Sequence, residues 1–321
     1  MKIFSGFLVY LVYFFVGSPF AQNYPDKPVR FISPFPPGGG TDLMGRVLAP
    51  PLLQRWGHAF LVENKPGANG SIGSQYVAKS PADGYTLLIG TMGTHGINPS
   101  IYPQLGYDPI HDFSAISQLV TSPMMLLVHP SMPAKTVADF IRLAKSQPGR
   151  ITFSSSGKGS VGHLAGLLLN VTANIQLTHV PYRGSGPATV DLLSGQVQAM
   201  LGSPAATLSF VNNHKLRALA QTSRHRSALL MNLPTLAESG LAHYDVSTWY
   251  GLWAPALTPK SIVHQLQIEV ARILFLPEVK RFLATQGLEP VASTPDILSR
   301  QVKLEMTQWA HVTASSALHP E

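Results

Sequence analysis

Three consecutive glycines, Gly38, Gly39 and Gly40, follow an apolar run that begins at Phe31 and precede a helical apolar pattern that begins at Leu43. Glycines between a strand and a helix let a ligand approach the backbone amides closely. The first N–H groups of a helix have no acceptor within the helix, and this end of a helix therefore binds anions. The order strand, glycine loop and helix predicts an anion site formed by main-chain donors.

Further polar glycine loops follow other apolar runs along the chain. In open α/β sheets, ligands bind at the carboxyl ends of the strands. Loops in this position are therefore expected to face one binding region. These loops are KPGANGSIG at 65–73, GTMGTHGINP at 90–99, SSGKGS at 155–160 and RGSGPA at 183–188.

The loops do not match nucleotide or hydrolase motifs. Lys158 is followed by Gly159 rather than by the Ser or Thr of a P-loop, and neither GxGxxG in the first βα turn nor GxSxG occurs. Ser160 and His163 are three residues apart and leave an exported hydrolase as an alternative, although a hydrogen bond at a helix start is favoured. We expect no cofactor and no metal site, because the chain has no cysteine and no HExxH motif.

The composition is typical of a protein with a large core. Of the 321 residues, 45% are hydrophobic and 12% are charged, which excludes a disordered chain. The formal net charge is +7, but the basic residues are scattered and form no run of the kind that binds nucleic acid. A mildly positive field would favour small anions, although a merely solvated basic surface explains the charge equally well.

Residues 1–21 have the pattern of a secretory signal peptide. Lys2 precedes an apolar run from 3 to 16, and small residues end the segment at Ala21. An uncleaved anchor is the alternative. No later segment is long and apolar enough to cross a membrane, and we therefore expect a periplasmic protein.

Strand and helix patterns alternate along the chain, which predicts an α/β fold with two halves. The predicted strands are 29–35, 60–63, 85–90, 117–129, 151–154, 179–182, 197–201, 216–222 and 246–254. The predicted helices are 41–53, 74–79, 136–146, 161–173, 188–193, 261–275, 278–286 and 296–314.

The C-terminal helices have no strands of their own to cover and are expected to pack onto the first half. This arrangement predicts a discontinuous domain 1 formed by 22–124 and 228–321, with 125–227 as domain 2. The chain would cross between the domains near 121–126 and near 223–232. Two crossings form a hinge, and the cleft between two lobes is the usual ligand site.

Seven segments, taken in their order and spacing, resemble one known family. They are YPDKPVRFISPFPPGGGTD at 24–42, VENKPGANGSIG at 62–73, SPADGYTLLIGT at 80–91, THGINPSIY at 94–102, HVPYRGSGPA at 179–188, LPTLAESGL at 233–241 and WYGLWAPALTPK at 249–260. Across residues 24–314 the chain resembles the Bug-type extracytoplasmic solute-binding receptors of tripartite tricarboxylate transporters.

The resemblance implies a two-lobed periplasmic-binding-protein-like fold of type II that closes on a small carboxylate. It also implies membrane subunits of a tripartite transporter as partners, a monomeric receptor and no catalysis. The ligand-binding residues expected from the matching loops are Pro37, Gly38, Gly39, Thr41, Thr94, His95, Asn98, Ser154, Ser156, Gly157, Ser160, His163, Arg183, Gly184 and Ser185.

Some of these side chains have more than one interpretation. Thr94 and Asn98 line the cleft or close a turn. His95 could become charged below about pH 6.5 and attract an anion. Arg183 could clamp a second carboxylate, or lie on the surface. Asp42 is expected to accept N–H groups at its helix start rather than to contact an anion.

Two further features bear on the ligand. Trp249 and Tyr250 are expected to belong to the hinge core rather than to form a ligand platform. At 202–206 the chain has GSPAA where the family commonly carries an Asp, which argues against an amino-acid ligand. A periplasmic sensor that binds the same ligand and docks on a signalling receptor is the alternative function.

Overall fold

The computed structural model describes residues 24–102, 104–182 and 184–315. The predicted signal peptide and Arg183 lie outside these residues. Strands are β1 (Val29–Ser33), β2 (Phe60–Asn64), β3 (Thr86–Thr91), β4 (Phe113–Pro123), β5 (Met125–Val128), β6 (Thr152–Ser155), β7 (Thr178–Pro181), β8 (Ala199–Gly202), β9 (Arg217–Gln221), β10 (Ser247–Pro255) and β11 (Glu289–Pro290). Helices are α1 (Gly40–Trp56), α2 (Ser71–Ala78), α3 (Asn98–Ile101), α4 (Val137–Ser146), α5 (Val161–Ala173), α6 (Ser185–Leu193), α7 (Pro204–Asn212), α8 (Lys260–Leu274), α9 (Pro277–Thr285) and α10 (Pro295–Ser315).

The strands form two separate sheets. The six-stranded sheet has the order β11-β4-β10-β3-β1-β2, and the five-stranded sheet has the order β7-β6-β8-β5-β9. In the first sheet β1 is parallel to β2 and β3, while β10 is antiparallel to β3 and β4. In the second, β6 is parallel to β7 and β8, while β5 is antiparallel to β8 and β9. The predicted α/β class with two lobes is confirmed.

The chain passes between the sheets at Met124 and again between β9 and β10. Thr222, which follows β9, is hydrogen-bonded both to Met124 and to Val246, which precedes β10. The Met124 N–H donates to Thr222 Oγ1 at 2.8 Å, and Thr222 Oγ1 donates to the Val246 carbonyl at 2.6 Å. The crossing segments therefore lie side by side. The domain bounds 22–124 with 228–321, and 125–227, stay a prediction.

The C-terminal helices pack onto the first sheet, in the arrangement predicted from the sequence. Leu266 and Val270 of α8 are fully buried with Leu48 of α1 and Leu119 of β4. Helix α10 also contacts α5 of the second lobe. A second core cluster extends across both lobes, and within it the Tyr244 hydroxyl donates to the Ala165 carbonyl at 2.7 Å.

Two predicted elements are wrong, and one helix was missed. The extended stretch 117–129 is two strands in different sheets, because the chain changes sheet at Met124. The loop predicted at 90–99 is largely helical: Gly93–Ile97 form a π-helical turn, and α3 follows it directly. Helix α7 was not predicted, because its nine residues offer a weak apolar pattern behind Pro204. The other predicted bounds differ by at most three residues, as at the end of α1, predicted at 53 and observed at Trp56.

Gly166 lets α5 approach β6 closely. A Cβ atom placed on Gly166 would lie 2.2 Å from the Phe153 ring, whereas one on Gly186 of α6 would have no neighbour within 4 Å. Alanine is favoured over glycine in a helix by about 1 kcal/mol. Overpacking of a core costs about 1–3 kcal/mol. The two positions therefore provide a matched pair of substitutions.

We expect Gly166→Ala to lower the free energy of unfolding by about 1–2 kcal/mol, because the overpacking exceeds the gain in helix propensity. Gly186→Ala should leave it unchanged or raise it. Urea unfolding of both variants and the wild type measures the difference. Equal effects of the two substitutions on the free energy of unfolding would show that the close packing of α5 against β6 does not require glycine at position 166.

Candidate functional site

A cavity of about 620 Å³ lies between the two lobes, within the range of about 300–1,000 Å³ typical of small-molecule sites. Residues of both lobes line it. Six of the predicted ligand-binding residues belong to its wall: Gly39, Thr41, Ser156, Ser160, Gly184 and Ser185. The glycine loops at 38–40 and 155–160 thus face one shared cavity, as the sequence predicts.

Four helices begin at this cavity. Their N-caps, Gly39 of α1, Ser160 of α5, Gly184 of α6 and Ser203 of α7, all line it. Three of these caps make no side-chain capping bond, while Ser160 Oγ accepts the His163 N–H at 3.3 Å. Unpaired donors and the positive ends of several helix dipoles therefore point toward the same space.

The start of α1 is the main contribution of the first lobe. Leu43 N donates to the Gly39 carbonyl at 2.9 Å, but the N–H groups of Gly40 and Thr41 have no acceptor in the described part of the chain. A Cβ atom at Gly40 would lie 2.1 Å from the Tyr250 hydroxyl oxygen, so only glycine lets the tyrosine reach the helix start. The tyrosine hydroxyl and the amides therefore form one group of donors.

Asp42 stabilises this helix start, as predicted. Its Oδ2 accepts the Gly38 N–H at 3.0 Å and also the Arg46 Nε–H at 2.8 Å. The Arg46 guanidinium and the Gly38 amide lower the pKa of the buried carboxyl, whose burial acts in the opposite direction. The carboxylate is thus occupied by its own loop and does not line the cavity.

The loop of the second lobe is held from behind by two stacked histidines. His163 and His179 have ring centroids 3.7 Å apart, and His163 Nδ1 accepts the Gly159 N–H at 3.0 Å. His179 Nε2 and Ser155 Oγ are hydrogen-bonded at 2.7 Å, and the Gly157 N–H donates to the same hydroxyl at 3.2 Å. These rings position the loop, and neither lines the cavity.

Burial keeps both rings neutral. It lowers the pKa of His163 to about 3, with the neighbouring His179 and Lys158 acting in the same direction, and it lowers the pKa of His179 to about 4. A neutral His163 is required, because a protonated Nδ1 could not accept the Gly159 N–H. Ser160 Oγ accepts the backbone N–H of His163, and the His163 ring accepts the Gly159 N–H, so both side chains are hydrogen-bonded to the backbone.

Three predicted site residues lie behind the cavity wall. Thr94 is fully buried, and its hydroxyl accepts the Thr91 N–H at 2.9 Å, which closes a turn. Asn98 is buried and accepts from the Asn69 side chain at 2.9 Å. His95 is fully buried and stacks on Trp253 with a centroid distance of 3.9 Å.

The expectation that His95 charges near pH 6.5 is wrong. Burial lowers its pKa to about 3, so the ring is neutral at any physiological pH. Four other predicted residues do not line the cavity. Pro37 and Gly38 are exposed, Ser154 donates to the Ala188 carbonyl at 3.2 Å, and Gly157 belongs to the histidine-bound loop.

Sequence reasoning missed Thr248, Tyr250 and the end of β8. Trp249 is buried core, as expected, and donates to Glu305 at 2.8 Å. The flanking Thr248 and Tyr250 line the cavity, because side chains alternate between the faces of a strand. The alternation of side chains within strand 247–255 was therefore the sequence signal that could have identified Thr248 and Tyr250 as lining residues. Gly202 and Ser203, from the stretch that departs from the family pattern, also line the cavity.

The part of the cavity wall that the structure describes is uncharged. None of its described lining residues is Asp, Glu, Lys, Arg or His. The described residues also contain no group of three or more His, Cys, Asp and Glu side chains able to hold a metal ion. Over the same residues, no helix has the length and apolar character needed to cross a membrane. Among the described residues, the groups able to bind an anion here are amides, hydroxyls and helix dipoles.

Two α/β lobes with a cavity between them, at which helices from both lobes begin, define a two-lobed solute-binding protein. Residues 44–318 match the TctC family, the tripartite tricarboxylate transporter family receptors. The chain belongs to this family.

Named relatives agree with this membership. Protein BugT of Bordetella pertussis is 36% identical over 91% of this chain and 90% of its own. The structure of R. palustris Rpa4515 with adipate has a TM-score of 0.79 and 35% identity, and covers 93% of this chain and 100% of that one. MatC from Rhodopseudomonas palustris with bound malate has a TM-score of 0.74 and 32% identity, and covers 90% of this chain and 99% of that one.

The buried histidines predict how stability depends on pH. The pKa of His163 falls from 6.5 in the unfolded chain to about 3 in the fold. The unfolded state therefore binds more protons below pH 6.5, and stability is lost as the pH falls from about 6.5 toward 3. His95 and His179 act in the same direction.

In His163→Asn, the side-chain oxygen can still accept the Gly159 N–H but does not titrate. We expect the loss of unfolding free energy between pH 7 and pH 5 to be smaller than in the wild type by about 2 kcal/mol. Urea unfolding at the two pH values measures this. The exposed His243→Asn serves as the control, and an unchanged pH dependence in His163→Asn would contradict the assignment.

Proposed function

We propose that this protein is a periplasmic receptor that captures a small carboxylate between its lobes and delivers it to the membrane subunits of a tripartite transporter. The observation that carries the proposal is the convergence of four helix N-termini on one cavity whose described lining residues carry no charge. Such ends bind anions through unpaired amides and the helix dipole. None of the described lining residues is an Asp or Glu that could neutralise a cation.

The energies are sufficient for a receptor. A charge near a helix start gains about 0.3–1 kcal/mol from the dipole, and up to about 2 kcal/mol when partly buried. Each hydrogen bond to a charged group contributes about 1.5–3 kcal/mol. A few such bonds from each lobe reach the roughly 8 kcal/mol of a micromolar complex after the costs of ordering and closure.

The family and its solved members support the ligand class. Of the similar solved structures, Rpa4515 is described with adipate and MatC with bound malate, and both compounds are small dicarboxylates. We assign ligand contact to the six predicted residues that line the cavity, with Gly39 and Thr41 on the first lobe and Ser156, Ser160, Gly184 and Ser185 on the second.

The predicted signal peptide at 1–21 would export the chain to the periplasm. One chain contains both walls of the cavity, and a monomer is therefore sufficient.

Binding of the carboxylate group can be tested directly. A small acid that binds between the lobes should raise the melting temperature, since a ligand stabilises the state it binds. Its methyl ester should not, because the ester lacks the charge that the helix starts attract. A screen of small acids by thermal shift, followed by calorimetry on each acid and its ester, measures the effect. An ester that binds as well as its acid would overturn the proposal.

The loop assignment has its own test at Gly39. Gly39 has an extended backbone with φ −78° and ψ 171°, and a Cβ atom there would lie 3.4 Å from the Pro36 carbonyl. The fold therefore tolerates a side chain at this position of the cavity wall. We expect Gly39→Val to weaken binding by about tenfold or more.

Gly39→Ala, which adds a single methyl group at the same position, is the matched control and should weaken binding less. The melting temperatures of both variants without ligand should stay close to that of the wild type. Normal affinity in Gly39→Val would place the ligand elsewhere.

A further inference from the structure

The cavity wall includes apolar residues, which a carboxylate group alone would not contact. Six apolar residues line it: Phe35 and Ile97 from the first lobe, Met124 at the crossing, and Val161, Met200 and Leu201 from the second, although Ile97, Met200 and Leu201 are at most 2% exposed. The apolar surface is therefore present on both walls. A ligand held between them must present its body to hydrocarbon.

The described wall of the cavity also contains unpaired hydroxyl groups, beside the unpaired main-chain amides of the helix starts. The side-chain hydroxyls of Ser156, Ser185, Ser203, Thr248 and Tyr250 all belong to the wall, and none has a hydrogen-bond partner in the described part of the chain. Burial raises the pKa of Tyr250, so its hydroxyl keeps its proton and can donate. These donors suit carboxylate oxygens.

A charged or heavily hydroxylated ligand body would be poorly accommodated. None of the described lining residues is acidic, so an ammonium group would meet helix N-termini of its own sign without a counter-charge. Hydroxyl groups placed against Phe35, Met124 or Val161 would lose their water without gaining partners, which is costly. A hydrocarbon body loses nothing there and gains from leaving water.

We propose that the ligand is an organic acid whose body is a hydrocarbon chain or ring without amino or multiple hydroxyl substituents. This inference rests on the proposed function, because it assumes that the cavity binds a carboxylate. A volume of about 620 Å³ leaves room for such a body beyond the carboxylate itself. Selection among acids then depends on the desolvation of the body.

Three matched pairs of acids test the inference by calorimetry. Adipate is compared with galactarate, its tetrahydroxy analogue, and hexanoate is compared with gluconate, its pentahydroxy analogue. The third pair is 3-phenylpropanoate and phenylalanine, which differ by the ammonium group. We expect at least one of the three hydrocarbon acids to bind. In each pair in which either acid binds, the hydrocarbon acid should bind at least about tenfold more tightly than its substituted partner.

The outcomes separate the two proposals. Equal or tighter binding of a substituted acid overturns the inference and leaves carboxylate capture intact. Binding of substituted acids with no binding of hydrocarbon acids has the same meaning. If none of the six acids binds and the wider screen of acids also fails, the proposed function fails together with the inference.

Two substitutions on α5 connect the preference to the cavity wall. Val161 lines the cavity, whereas Val171 on the same helix is 44% exposed and does not line it. Val161→Thr replaces one methyl by a hydroxyl at nearly constant volume and should reduce the preference for adipate over galactarate by about threefold or more.

Val171→Thr is the matched control, since it makes the same change in the same helix, and it should leave the preference unchanged. An unchanged preference in Val161→Thr, with both variants as stable as the wild type, would contradict the placement of the ligand body. A similar reduction in both variants would show that the helix, and not the wall, is responsible.

Discussion

The structure depends on main-chain amides that have no acceptor of their own. Helices α1, α5, α6 and α7 all begin beside one cavity, and three of their N-caps make no side-chain capping bond. A helix end without internal partners must meet water or a ligand. Glycine is required where the approach is closest, as at Gly40 under the Tyr250 hydroxyl. The rest of the fold brings two such sets of ends to face each other.

The two sets come from different sheets, and their alignment rests on a small region. Met124, Thr222 and Val246 are tied together by hydrogen bonds where the chain passes between the lobes, while α10 of the first lobe contacts α5 of the second. Met124 also lines the cavity. A rotation of one lobe about this region would therefore change the distance between the two sets of donors without disturbing either sheet.

Much of this arrangement could be predicted from the sequence, because an apolar run followed by a glycine loop and a helical pattern can be recognised from neighbouring residues alone. The two loops at 38–40 and 155–160 were expected to share a cleft, and they do. The errors concern long-range packing. His95 and Asn98 have polar side chains in a polar loop, and only the fold shows that Trp253 and Asn69 cover them. Tyr250 was assigned to the core with Trp249, although the alternation of a strand separates them. His163 was expected at the ligand, but His179, which is distant in sequence, stacks on it.

The described lining residues carry no charged side chain, which has a consequence for a receptor that must also release what it captures. An ion pair would keep much of its attraction while the lobes part, because Coulomb energy falls slowly with distance. Hydrogen bonds from amides and hydroxyls weaken steeply once the geometry is lost. Here the donors are divided between the lobes, with Gly40 and Thr41 on one side and the α5 to α7 starts on the other. Opening therefore removes a whole set of bonds together, and tight capture in the closed state is compatible with rapid release in the open one.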